Sequence, residues 1–244
     1  MRTKTFDTAI TMGEAAGNNA ALRIESAINQ YNEANIILAT GASQFHTLQT
    51  LVNYDIIDWS KVTVFHLDEY IGIDENHPAS FVLYLKKRFL EKVGKVKAFH
   101  FIDGTAKDPE EECKRLNELI SQLDIHVALV GIGENGHLAF NDPPADFDIE
   151  DPYIMADLDE KCRMQQVGEG WFDGLEAVPA QAISMTIKQI MKSKSIICSV
   201  PDERKAQAVK DCVIGEVSNL HPASILQQHK DCIIYLDKGS ASLI

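Results

Sequence analysis

Short apolar runs rich in β-branched residues, such as Asn-Ile-Ile-Leu-Ala at 35–39 and Ser-Ile-Ile-Cys-Ser-Val at 195–200, alternate with longer amphipathic stretches along this chain. Runs that are apolar throughout fit strands covered on both faces, and the stretches between them fit the crossover helices of a parallel sheet. The pattern predicts strands at 35–39, 62–67, 98–102, 125–130, 182–186, 195–200 and 232–236, and helices at 14–32, 43–52, 79–93, 109–123 and 203–214. This is an α/β order: a doubly wound, three-layer α/β/α arrangement with a mostly parallel sheet. A length of 244 residues suits a single domain over 1–244. One segment breaks the rhythm. Residues 143–179 carry four prolines and little periodicity, and are expected to form a long lid-like excursion from the sheet.

Composition narrows the classes of function. No stretch approaches the ~18 uncharged apolar residues of a spanning helix, and the first residues show no export signal, so no membrane role and a cytoplasmic address are expected. The five cysteines are scattered, odd in number and without a C-x-x-C pair; core thiols are the expected reading for all of them. A formal charge of −13 repels polyanions, and no basic stripe relieves it, so nucleic acid is not an expected partner. A small anionic ligand needs only one local cluster of donors.

In open α/β sheets ligands sit beyond the carboxyl ends of the strands, and three strand ends here carry chemistry. Leu-Ala-Thr-Gly-Ala-Ser-Gln at 38–44 runs from strand to glycine turn to helix, with hydroxyls on Thr40 and Ser43; backbone N–H groups at such a turn suit a phosphate, though an ordinary capped turn has the same letters. Phe-His-Leu-Asp-Glu-Tyr at 65–70 offers paired carboxylates, Asp68 and Glu69, as a general base and its tuner, or as turn caps. Gly-Ile-Gly-Glu-Asn-Gly-His-Leu-Ala-Phe-Asn-Asp-Pro-Pro at 131–144 is the most informative stretch. Its glycines, Gly133 among them, let the backbone fold tightly around a ligand, and His137 is poised for proton transfer with Glu134, Asn135 and Asp142 as candidate partners. The G-x-G-x-x-G spacing invites a dinucleotide reading, but the residues after the glycines do not read as a helix.

These strings occur together and in one order: TGAS, LDEY followed by HPASF, GIGENGHLAFNDP, Val-Pro near 178 followed by AISMTI, and RKAQAV at 204–209. In that order the chain resembles the glucosamine-6-phosphate deaminases over essentially its whole length. The resemblance implies the fold shared with ribose-5-phosphate isomerase and 6-phosphogluconolactonase, and conversion of glucosamine 6-phosphate and water to fructose 6-phosphate and ammonia with no metal or organic cofactor. It implies Asp68 as the base moving a proton from C2 to C1, with Glu69 beside it, and His137 as the residue assisting ring opening. Thr40, Gly41, Ala42 and Ser43 match the phosphate loop, with Gly133 in the substrate-binding segment and Lys205 as the phosphate lysine.

Three departures stand out. Asn135 occupies the place of an aspartate that partners the histidine, and Asp142 that of a longer glutamate. The lid reads Val-Gly-Glu-Gly-Trp-Phe at 167–172, where the family commonly has an arginine before two phenylalanines; either Arg163, nearby but out of register, substitutes, or the loop and Lys205 alone hold the anion, or the substrate differs from the family's usual one. The alternatives are action on galactosamine 6-phosphate, 6-phosphogluconolactone hydrolysis, disfavoured by Leu138-Ala139-Phe140-Asn141, and a non-catalytic sugar-phosphate sensor, disfavoured by the presence of both Asp68 and His137. Assembly into a homo-oligomer is left open.

Overall fold

The computed structural model describes residues 1–244. In chain order the strands are β1 (Arg2–Phe6), β2 (Ala34–Leu38), β3 (Val62–His66), β4 (Asp68–Tyr70), β5 (Ala98–His100), β6 (Val127–Val130), β7 (Tyr153–Asp157), β8 (Gln181–Met185), β9 (Ser195–Val200) and β10 (Cys232–Asp237). The helices are α1 (Ala9–Tyr31), α2 (Phe45–Val52), α3 (Phe81–Leu85), α4 (Glu91–Val93), α5 (Pro109–Ile120), α6 (Glu160–Gly168), α7 (Ile187–Met191) and α8 (Ala206–Val213). A π-helical turn at Lys86–Leu90 joins α3 to α4, so the helix expected at 79–93 is one irregular rod. No helix is long and apolar enough to cross a membrane.

Seven strands form one parallel sheet in the order β1-β10-β9-β6-β2-β3-β5. Its faces separate by strict alternation. Ile36, Leu38, Val64, Leu129, Ile197 and Tyr235 pack under α1 and α2, whereas Ile37, Phe65, Ala128, Cys198 and Ile234 face the layer containing α5, α7 and α8. Burial on both faces is why these strands read as unbroken apolar runs. All five cysteines are buried and free.

The strand expected at 182–186 is not in this sheet. As β8 it is the centre of a second, antiparallel sheet of order β4-β8-β7. The expected 62–67 strand is β3, and the chain runs on past it into β4 of the second sheet. Leu67 N donates to Leu38 O at 3.2 Å, in the parallel sheet, while its carbonyl accepts from Met185 N at 2.7 Å, in the antiparallel one. The chain changes sheets at this residue, and Asp68 emerges at the seam. Two further findings concern segments that lack an apolar signature. β1 has exposed residues almost throughout and was not expected; it is an edge strand held by parallel pairing to β10. The 143–179 excursion is structured: it contains β7 and the lid helix α6.

Candidate active site

A cleft of about 370 Å³ opens at the carboxyl ends of β2, β3, β6 and β9, where the strand order changes direction between β2 and β6, the place an α/β sheet offers a ligand. Of the residues picked out from the sequence, Thr40, Gly41, Ala42, Ser43, Asp68, Gly133, His137 and Lys205 line it. Glu69, Asn135, Asp142 and Arg163 do not.

At one pole, Gly41 takes φ 84°, a left-handed geometry that costs any other residue strain. It turns the loop after β2 into a short 3₁₀ turn, Ala42–Gln44, and then α2. The Tyr84 hydroxyl donates to Gly41 O at 2.9 Å, and the Gln44 amide donates to Val130 O at 3.2 Å, tying this loop to the neighbouring strand end. Lys205 is 5% exposed; its amine is in no ion pair, and burial lowers its pKa. A buried, unpaired ammonium beside a glycine turn at a helix start is an anion receptor. Arg204 next to it is committed to Asp202, at 2.8 Å.

Across the cleft, Asp68 is buried and its carboxylate accepts no hydrogen bond from the protein. Burial, and then the charge of Glu69, push its pKa up to about 8. Glu69 does not face the ligand. Its carboxylate accepts from Tyr70 N, Ser80 Oγ, Phe81 N and Val82 N at 2.7–3.2 Å, satisfying the free N–H groups at the start of α3. It therefore acts on Asp68 as a fixed negative neighbour. His66, at the end of β3, is held down to about 3 by burial; the imidazole is neutral, and its Nε2 accepts from Ile102 N at 3.0 Å.

His137 sits in a loop closed on itself: Gly133 N donates to His137 O at 3.0 Å and Gly136 N to Gly133 O at 3.0 Å. The imidazole lies flat on Gly133, where a Cβ would fall 2.2 Å from the ring; only glycine leaves room. Asn141 anchors the loop by donating to Leu138 O at 2.6 Å and Met185 O at 2.9 Å. His137 Nδ1 stands 3.2 Å from Asp142 Oδ1, without the alignment of a hydrogen bond. Burial works to raise the pKa of Asp142, but the imidazole beside it and donors from Asn135 and the Asp159 backbone bring it below the ordinary value.

Asn135 is a clamp rather than a substitute charge. Its Oδ1 accepts from His137 N at 3.0 Å, and its Nδ2 donates to Asp142 Oδ1 at 2.9 Å and to Asp159 Oδ2 at 3.3 Å. An aspartate here would have no donor for those two carboxylates. Arg163 is not the replacement for the lid arginine: its guanidinium donates to Leu175 O and Val178 O at 2.8 and 2.9 Å, bracing the lid from within. The residues the lid does bring to the cleft are Gln165, Gln166 and Glu169, none of them selected from the sequence. Glu169 is held by Gln165 Nε2 at 2.8 Å and Trp171 Nε1 at 3.2 Å, and its Oε2 lies 4.0 Å from where a Cβ on Gly41 would be. The only sequence signal for it was the Val-Gly-Glu-Gly-Trp-Phe departure itself.

Residues 7–235 match a family model described as glucosamine-6-phosphate isomerases/6-phosphogluconolactonase. A glucosamine-6-phosphate deaminase of Clostridium acetobutylicum is 38% identical over 212 residues, covering 85% of this chain and 86% of that one. The solved structure of a monomeric glucosamine-6-phosphate deaminase superposes with a TM-score of 0.90 at 29% identity over 100% of both chains. The 6-phosphogluconolactonase of Trypanosoma brucei has a TM-score of 0.82 at 15% identity, over 99% of this chain and 97% of that one, a likeness of fold alone. On the family match and the 38% identity, the chain belongs to the glucosamine-6-phosphate isomerase/6-phosphogluconolactonase family.

Proposed function

We propose that this protein is a glucosamine-6-phosphate deaminase, converting glucosamine 6-phosphate and water to fructose 6-phosphate and ammonia. The observation that carries the reading is Asp68, a buried carboxylate without a hydrogen-bond donor, across a cleft from an anion-receptive loop and next to a histidine–carboxylate pair. A carboxyl group with a pKa of about 8 is basic enough, when ionised, to take a proton from carbon next to a carbonyl.

The sugar's phosphate sits on the Thr40–Ser43 turn and Lys205. His137 exchanges a proton with the ring oxygen and the C1 hydroxyl, opening the pyranose to an aldehyde, with Asp142 stabilising the imidazolium. Asp68 then removes the C2 proton and returns it to C1. The C2 carbon becomes an imine, and water hydrolyses it to the ketone with release of ammonia. Each acting group is a protein acid or base, so the proposed route needs no metal or organic cofactor. Buried free thiols support a reducing, cytoplasmic setting.

Ammonia release is measured from glucosamine 6-phosphate and galactosamine 6-phosphate in parallel, with 6-phosphogluconolactone hydrolysis alongside. Turnover of the gluco epimer is expected. Turnover of the galacto epimer alone would reassign the substrate, and lactone hydrolysis without ammonia would overturn the reaction class.

A further inference from the structure

We propose that His137, Asp142 and Cys162 form a latent inhibitory site for a thiophilic divalent cation of the zinc type, bridging the histidine loop to the lid. One imidazole nitrogen, one carboxylate oxygen and one thiol sulfur lie within 4.8 Å of one another. The cluster is buried: His137 is 9% exposed and Cys162 1%, and the Asp142 side chain 8%. Within it, His137 Nδ1 is shielded from solvent and makes no aligned hydrogen bond, although Asp142 Oδ1 stands 3.2 Å away.

The 3.2 Å between His137 Nδ1 and Asp142 Oδ1 is close to the roughly 3.3 Å that two ligands with metal bonds of about 2.0 Å span in a tetrahedral shell. The sulfur completes the set by moving inward by on the order of 1 Å to reach a zinc–sulfur distance of about 2.3 Å. It is carried on the first turn of α6, where Cys162 N donates to the N-cap Asp159 at 2.6 Å. Asp159 N in turn donates to Asp142 Oδ2 at 3.1 Å, so the bonds that dock the lid also bring the thiol to the histidine.

A mixed N, O, S set selects zinc, cobalt or cadmium over magnesium or calcium. Burial, followed by the charges of Asp142 and Asp159, keeps the thiol protonated well above its ordinary range. The cation therefore displaces that proton to solvent as the metal–thiolate bond forms, one proton for each ion bound. A recess of about 470 Å³ that includes Glu134, Asn135, Asp159, Glu160, Asp211 and His221 adjoins the cluster at Asn135 and Asp159, and its carboxylates favour a cation on the way in. Once bound, the ion occupies Nδ1, holds Asp142 as a second ligand and fastens the lid to the loop. The inhibitory consequence rests on the role proposed above for His137; the binding does not.

Cobalt(II) is titrated into the purified protein and absorption is followed, while zinc inhibition of ammonia release is measured separately. A thiolate-to-cobalt charge-transfer band with tetrahedral visible bands, saturating at one ion per chain and displaced by zinc, is expected. Zinc is expected to inhibit turnover reversibly, chelator restoring it and magnesium having no effect. Cys162→Ala should abolish the band and weaken zinc inhibition by about tenfold or more; Cys162→Ser serves the same purpose if the alanine variant folds poorly. Absence of a charge-transfer band in the folded wild type, or its persistence with unchanged inhibition in the variants, overturns the site. If the protein releases no ammonia at all, the functional reading falls, and the cobalt titration still decides the metal site.

Discussion

Asp68 combines two properties that are each unfavourable to a carboxylate, burial and a negative neighbour, and its behaviour with pH follows from them. Because the carboxyl binds its proton more tightly in the folded chain than in the unfolded one, stability from this group falls as pH rises from the ordinary aspartate range, about 4, toward about 8. Asp68→Asn removes that dependence: the variant gains on the wild type across this interval in urea unfolding, and the gap is constant below it and above it. Ammonia release in the same variant is expected to be lost while inorganic phosphate still binds, and the acid limb of kcat/KM in the wild type is expected at about 8 instead of near the ordinary aspartate value of about 4. Wild-type activity that is flat down to about pH 5, well below the folded pKa, would remove Asp68 as the base. Glu169 is the second residue whose charge works against its place. Its carboxylate faces the Gly41 turn, the position proposed for the substrate's phosphate, and an isosteric neutral side chain would relieve the repulsion there. Glu169→Gln should lower KM for the sugar phosphate about threefold to tenfold with kcat little changed, as expected for about 1 kcal/mol of like-charge repulsion at a partly exposed site; an unchanged or raised KM would mean that Glu169 binds the ligand instead of opposing it.

At the scale of elements, two junctions build the site. The first is Leu67, bonded to β2 on one side and to β8 on the other, which turns a continuous strand into two and leaves Asp68 between the sheets. The second is the start of α6, where the Asp159 carboxylate caps the helix at Cys162 N and receives Asn135 Nδ2, while its backbone N–H donates to Asp142. Asp159 thus bonds the lid to Asn135 and Asp142, beside Gln165 Oε1, which accepts from Glu134 N at 2.9 Å. Asp159→Ala is expected to cost the helix about 1 kcal/mol, to loosen the lid without unfolding the sheet, and to raise KM while exposing residues 160–178 to faster backbone hydrogen exchange. Exchange unchanged in that segment would place the lid's anchor elsewhere, at Gln165, whose Oε1 accepts from Glu134 N.

For the whole molecule, both sheets share one apolar core: Ile183 and Met185 of β8 and Tyr153 of β7 belong to the same buried cluster as Phe65, Val130 and Ile234 of the parallel sheet. From that shared core, circular dichroism and tryptophan fluorescence are expected to give coincident denaturant transitions. Trp171 reports from the lid and Trp59 from the main core beside Phe89, so two separated transitions would divide the molecule into independent parts.

The sequence by itself determined the parallel sheet and most of its strands, because burial on both faces demands apolar runs that no exposed segment reproduces. It also picked out strand ends that the fold brings together, since Thr40–Ser43, Asp68 and His137 lie directly after such runs and line one cleft. Exposed β1 lacks that signature, because an edge strand is defined by its neighbour's hydrogen bonds and not by its own side chains. β8 carries the signature but belongs to another sheet, since an apolar run states that a strand is covered and not which partner covers it. Glu69, Asn135, Asp142, Arg163 and Glu169 all stand near the cleft in sequence, yet only the tertiary structure decided which face it: each is a polar side chain whose direction is set by donors and acceptors brought from elsewhere in the chain, at Ser80, Asp159, Val178 and Trp171.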